Sequence, residues 1–145
     1  MLFRSRKALE QTTARLAAER ATASQILVLR AILERQREAE AARDSDAFHQ
    51  ADETFHATIA EIAGHPGIWK LIQQVKVHVD RYRRLTLPQT GRIAQVIAEH
   101  EVILAAIEAH DSPGAGIAMD RHLERLLDNI NATQSINPEF FDERS

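Results

Sequence analysis

Asp52 and His56 stand four residues apart in a segment of helical apolar spacing, so their side chains lie one above the other on a single helical face. Projection of two later segments puts His100 and His122 each at the centre of an apolar stripe. Imidazole nitrogen and carboxylate oxygen are natural donors for zinc, nickel, manganese or iron in the divalent state. Three nitrogens and one oxygen complete a four-coordinate site, or leave two positions of a six-coordinate site open to water or a small carboxylate. The energetics point the same way. An unpaired polar group in a helical core costs about 1–3 kcal/mol and a bare carboxylate costs more, so four converging groups need a common partner.

The spacing alone is weak. With 21 acids in 145 positions and seven histidines, about one acid four residues before a histidine arises by chance. Glu61 and His65 form a second such pair. On the residues alone, a metal site and a packed core of neutral histidines both account for the pattern. The other histidines fall elsewhere: His65 in a loop, His110 at a helix C-terminus, His49 and His78 at the margins of their stripes.

The elements that must position these groups read as helix almost throughout. Residues 2–21 are rich in Ala, Leu, Arg and Glu, strong helix formers, with Leu9, Thr13, Leu16 and Ala17 at three-and-four spacing. Thr22 to Ser24 offers a hydroxyl cap for a second helix to about Arg43, with Ile26, Leu29, Ile32 and Leu33 as its buried stripe. The later half of that helix, ERQREAEAAR, reads as a solvated face. Asp44-Ser45-Asp46 opens a third helix that ends near Gly64, with Phe48, Asp52, Phe55, Ile59 and Ile62 facing inward. Pro66 suits the first turn of a fourth helix, about Ile68–Leu85, striped by Ile68, Leu71, Ile72, Val75, Val79 and Tyr82. Pro88 to Gly91 breaks it. A fifth helix over about Arg92–His110 carries Ile93, Ile97, His100, Leu104 and Ile107 inward. A sixth, from Asp111-Ser112-Pro113 to about Thr133, carries Ala115, Ala118 or Met119, His122, Leu126 and Asn129. No segment alternates as a strand does. The expected fold is all-α: an antiparallel bundle of six or seven helices enclosing a metal or ligand pocket, over residues 1–134, with residues 135–145 as an irregular acidic tail.

Composition narrows the function. The net charge of −3 argues against a chain that binds nucleic acid by electrostatics, although residues 1–44 carry nine basic against six acidic side chains and the remainder nine against fifteen. There is no cysteine, so disulfides and thiolate metal sites are excluded. No apolar run approaches the ~20 residues that span a bilayer, and no signal peptide is evident, which makes the cytoplasm the default expectation.

Three segments, RKALEQTTARLAAERAT (6–22), DETFHATIAEIAGHP (52–66) and EHEVILAAIEAHDSPGAGIAMDRHL (99–123), resemble the FCD domain. This is the C-terminal effector-binding domain of the FadR subfamily of GntR transcription regulators. D-x-x-F-H, E-H-x-x-I-x-x-A-I and M-x-x-H-L occur in the family's order and spacing, and the resemblance runs from about Leu2 to Ile130. It implies a helical bundle around a pocket, a homodimer, and a divalent metal held by an Asp and three His, which map onto Asp52, His56, His100 and His122. Zinc is the first expectation, with nickel, manganese or iron as alternatives.

The resemblance further implies a small organic acid bound through its carboxylate to open metal positions, beside an arginine of the first helix. Arg6 is that candidate, an exposed arginine being the other reading. Asn129 and Tyr82 face inward and are weaker candidates to line the pocket; a packing amide is the alternative for Asn129. Two features depart from the family. Its usual Gly-Asn-Pro is Gly64-His65-Pro66 here, and its N-terminal winged helix-turn-helix, through which such regulators bind DNA, is absent from this chain. These 145 residues are therefore expected to be a sensor that does not itself bind an operator.

Two other classes compete. A metal-dependent hydrolase would use open coordination to activate water, but Glu99 is the best available base, falling one residue off its stripe as a residue behind the ligands or in solvent, and no nucleophile constellation accompanies it. A structural interaction module would simply pack its histidines neutral.

Overall fold

Helix boundaries follow from local capping chemistry. The Thr22 hydroxyl accepts from the backbone N–H of Gln25 at 3.2 Å, while the Gln25 side chain accepts from the Thr22 N–H at 2.9 Å. This reciprocal pair satisfies two donors that a helix start leaves open. Asp44 repeats half of it, accepting from Ala47 N–H at 3.0 Å. Gly64, at φ +81°, supplies the left-handed residue that ends a helix without a Cβ penalty. The structure, a computed structural model, describes residues 2–86 and 91–136, with side chains for 3–77, 81 and 91–132.

These breaks separate six helices: α1 (Leu2–Arg20), α2 (Ala23–Ala41), α3 (Ser45–Ile62), α4 (Pro66–Thr86), α5 (Arg92–Glu108) and α6 (Ser112–Ile136). Among the described residues there is no strand. The fold is an all-α bundle, and none of its described helices is long and apolar enough to cross a membrane. The break at Pro88 and the tail beyond Ile136 lie outside the described residues, while Ser135 and Ile136, expected in the tail, continue α6.

Packing sets α1 at the centre, against α3, α4, α5 and α6, while α2 lies across α3 and α5. The inward face of α1 is small: Ala14, Ala17 and Ala18 are fully buried, which lets α6 approach closely. At that approach a Cβ on Gly116 would fall 2.8 Å from Arg15 Cγ. Larger side chains complete the core from the other helices, among them Leu29, Ile32, Phe48, Phe55, Ile59, Ile103, Ile107, Met119 and Leu123. Around the rim, Arg30 and Arg37 of α2 pair with Glu108 and Glu101 of α5. Such exposed pairs contribute roughly 0.2–1 kcal/mol each, so the apolar core carries the stability.

The expected stripes hold well on α3, α5 and α6 and less well elsewhere. On α1, Thr13 and Ala17 are buried but Leu9 and Leu16 only half-buried, because the inward face is centred on Arg6, Glu10 and Ala14. The later half of α2 is not wholly solvated: Gln36 and Ala39 continue its buried stripe. On α4, Leu71 is 50% exposed. The helix turns Ile72 and Lys76 inward instead, with the Lys76 ammonium paired with Glu53 and 5.4 Å from the centre of the Trp69 ring.

Candidate metal centre

Three helices bring His56, His100 and His122 into one cluster able to share an ion, with Asp52 beside two of them but outside that cluster. Asp52 and His56 come from successive turns of α3, His100 from the middle of α5 and His122 from α6, and none is more than 1% exposed. His100 Nε2 lies 3.2 Å from His122 Nε2 and 3.4 Å from Asp52 Oδ1, and His56 Nε2 lies 3.7 Å from the same oxygen. One ligand nitrogen from each imidazole falls within 4.8 Å of the other two. Donors on a single ion at bond lengths of about 2.0–2.1 Å are separated by about 3 Å when adjacent and about 4.2 Å when opposite, so this spacing fits one metal ion.

The groups behind the histidines decide their tautomers. His100 Nδ1 lies 2.9 Å from Gln36 Oε1, a carbonyl oxygen that can only accept. Gln36 is held in that orientation by its own amide, which donates to the Ala51 carbonyl at 3.4 Å. His122 Nδ1 lies 2.6 Å from Glu99 Oε1, and His56 Nδ1 lies 2.5 Å from Glu10 Oε1. The acceptors behind His100 and His122 put a proton on Nδ1 in each, and the close Glu10 carboxylate favours the same tautomer in His56; in the neutral rings each Nε2 then presents a lone pair. His100 and His122 then turn two lone pairs toward each other at 3.2 Å, and both His56 ring nitrogens are buried outside hydrogen-bond geometry, Nδ1 in close ion-pair contact with Glu10. A cation shared among the three satisfies them. Oxygen partners behind ligating histidines are the usual support of such a centre.

Phe55 walls the site. Its ring stacks on His100 at 4.3 Å between centroids and meets the His56 ring edge-on at 5.5 Å. The side chains of Arg6, Glu10 and Phe55 are as fully buried as the donors. Among the described residues, Arg6, Glu10 and Phe55 pack directly beside the donors. A surface groove of about 410 Å³ between α2 and α3, lined by Arg35, Ala39, Asp44 and Ala51 among others, lies apart from these donors.

Arg6 is not exposed. It is wholly buried on α1, and its Nε donates to Glu10 Oε2 at 2.6 Å. Both terminal nitrogens, Nη1 and Nη2, are buried without a partner. Burial by itself pushes the Glu10 carboxyl up, but the charges of His56 and Arg6 beside it outweigh burial and hold it well below the usual carboxylate range. Glu10 is thus an anion between the Arg6 guanidinium and the His56 ring.

Asn129 is half-buried, and its amide donates at 2.8 Å to the Arg125 carbonyl of its own helix. Tyr82 lies outside the residues whose side chains are described. Of the remaining histidines, His110 bonds through Nδ1 to the Ala18 carbonyl at 2.9 Å, His49 is half-buried and His65 exposed. The side chain of His78 is outside the described residues. Glu99 is buried behind His122, the first of its two expected places.

Glu10 and Gln36 were missed by sequence reasoning. The available signal was a polar residue continuing an apolar stripe: Gln36 follows Leu29, Ile32 and Leu33, and Glu10 precedes Ala14, Ala17 and Ala18.

Comparison with known proteins agrees with this architecture. Residues 1–125 match the FCD domain, and the chain belongs to that family. It is 29% identical over 138 residues to the HTH-type transcriptional repressor RspR of Escherichia coli, covering 95% of this chain and 60% of the repressor. It is 31% identical over 148 residues to the Uxu operon regulator of Haemophilus influenzae, covering 97% of this chain and 54% of that protein. An HTH-type transcriptional regulator in an unstable DNA locus of Streptomyces ambofaciens is 35% identical over 98 residues, 68% of this chain and 42% of the regulator. The chain therefore spans about half the length of the curated relatives it matches. These relatives are named as regulators of transcription, not as enzymes. Escherichia coli McbR/YncC shares the fold, with a TM-score of 0.82 at 19% identity over 91% of this chain and 63% of that one.

Proposed function

We propose that this chain is the effector-sensing part of a transcription regulator, in which a divalent metal and Arg6 together receive the carboxylate of a small organic acid. The observation that carries the reading is the convergence of one ring nitrogen each from His56, His100 and His122 beside the Asp52 carboxylate, with a side-chain oxygen behind each ring. When bound, the metal supplies a positive centre with coordination open to an acid's oxygen. Asp52, His56, His100 and His122 hold it; zinc suits the set, as do nickel, manganese and iron.

Arg6 supplies the second contact. Its Nη1 and Nη2 form a planar fork suited to a carboxylate, and they have no partner within the protein. Because Arg6, Glu10 and Phe55 are buried beside the donors, an acid entering there displaces these side chains or shifts α1. That displacement is the signal: the acid biases α1 between two positions by its differential affinity for them. In an intact regulator α1 would transmit the change to a winged helix-turn-helix that reads DNA. The exposed apolar residues Leu27 and Val28 of α2, and Leu71 and Val77 of α4, provide surface for a homodimer. Work on DNA places such a protein in the cytoplasm.

A thermal-shift series with carboxylates from acetate to citrate tests this reading. A ligand at about a hundred times its dissociation constant stabilises by about 2.7 kcal/mol, or several degrees for a domain of this size. The expected result is such a shift in the Zn²⁺-loaded protein, absent after chelation and absent in Arg6→Ala. Equal shifts with and without metal, or none with any acid, would contradict it.

A further inference from the structure

Glu10 divides its two oxygens between two helices. Oε2 accepts from Arg6 Nε at 2.6 Å within α1, and Oε1 lies 2.5 Å from His56 Nδ1 on α3. The side chain is 1% exposed, so water does not compete for either oxygen. The other two histidines are backed from α2, through Gln36, and from α5, through Glu99. Among the described hydrogen bonds and ion pairs, α1 reaches the histidines through the Glu10 carboxylate.

We infer that Glu10 is a positioning residue that couples the two halves of the receptor site: it holds the proton of His56 on Nδ1, leaving Nε2 free to ligate, while it orients the Arg6 fork. This rests on the metal and carboxylate reading above. The chemistry explains why a carboxylate is required. A carboxylate accepts on both oxygens, as Arg6 N–H and His56 N–H demand. Glutamine has the same shape with one oxygen replaced by NH₂. If that NH₂ faces Arg6, two donors oppose each other and the guanidinium turns away. If it faces His56, it needs Nδ1 as an acceptor, which moves the ring proton to Nε2 and blocks ligation. Either orientation breaks one side of the bridge.

Two measurements on metal-free and Zn²⁺-titrated protein test the inference. Two-bond ¹H–¹⁵N spectra of the imidazole rings report which nitrogen is protonated, a property that a purely structural role would leave unchanged. In the wild type His56 is expected as the Nδ1–H tautomer. In Glu10→Gln it gains the Nε2–H form, and Zn²⁺ affinity falls about 10–100-fold, as for loss of other groups behind metal ligands. Residues sharing a partner behave non-additively, so Arg6→Ala shifts Zn²⁺ affinity more than about twofold in the wild type and leaves it unchanged in Glu10→Gln. An Nε2–H His56 in the wild type overturns the inference even if Glu10→Gln fails to fold. So does Zn²⁺ affinity within twofold of wild type in a folded Glu10→Gln, or additive effects of the two substitutions. A wild type that takes up no Zn²⁺ overturns the metal reading and the coupling with it. Tight wild-type binding with an unaffected Glu10→Gln overturns the coupling alone.

Discussion

His100→Ala is expected to abolish tight divalent-metal binding and, with it, all metal-dependent stabilisation. His100 is the pivot of the cluster, within 3.4 Å of both His122 Nε2 and Asp52 Oδ1. Its removal takes away one of four donors and leaves Gln36 Oε1 without its buried N–H. The unsatisfied acceptor costs about 1–3 kcal/mol. Metal linkage adds to this, because saturation at a hundred times the dissociation constant contributes about 2.7 kcal/mol that the variant cannot recover. The metal-free comparison separates the two effects. In the absence of metal the substitution also removes one of two facing lone pairs, so the chelated variant should lie closer to the chelated wild type than the loaded forms lie to each other. Calorimetric melting with Zn²⁺ and with chelator checks this, and a variant that keeps its full Zn²⁺-dependent shift would show that His100 is not a ligand.

Phe55→Ala has the second large effect, and it acts on stability and site together. The ring is fully buried, stacked on His100 and edge-on to His56. Truncating a buried phenylalanine costs about 3–5 kcal/mol, since the cavity left behind collapses only partly. For a domain of this size that lowers the melting temperature by about 10 °C. The freed His100 and His56 rings should also weaken metal binding. Phe48→Ala is the control: Phe48 is equally buried on the same helix, but its ring contact is with His49, 6.4 Å away, rather than with a donor. Both variants should lose similar stability in urea titrations, and only Phe55→Ala should also lose Zn²⁺ affinity. Equal Zn²⁺ affinities in the two folded variants would show that the ring does not hold the donors in place.

The stripe arithmetic explains which parts of the structure were legible in the sequence. On α3, α5 and α6 apolar residues flank Asp52, His56, His100 and His122 on both sides at helical spacing, so a polar residue among them stands out as inward-facing. The cap segments Thr22 to Ser24 and Asp44 to Asp46 marked two helix starts, and the structure caps each at the first residue of its segment. On α1 the same logic failed. Arg6 and Glu10 are spaced as an ordinary exposed i,i+4 ion pair, and only tertiary packing turns that pair inward. Gln36 sits among charged neighbours that mask its position on the stripe of α2. On α4, Leu71 and Lys76 compete for the interior, and the neighbouring helices bury the lysine because Glu53 and the Trp69 ring receive its charge. Periodicity reports the faces of a helix but not the partners that each face meets.

Metal content of the purified, Zn²⁺-reconstituted and desalted wild-type chain, measured by plasma mass spectrometry, tests the central claim most directly. The lone pairs of His56, His100 and His122 and the Asp52 carboxylate predict about one ion per chain, removed by chelation and restored on return of the metal. Less than about one ion per ten chains after reconstitution would contradict it and leave a core of packed, neutral histidines as the account of this cluster.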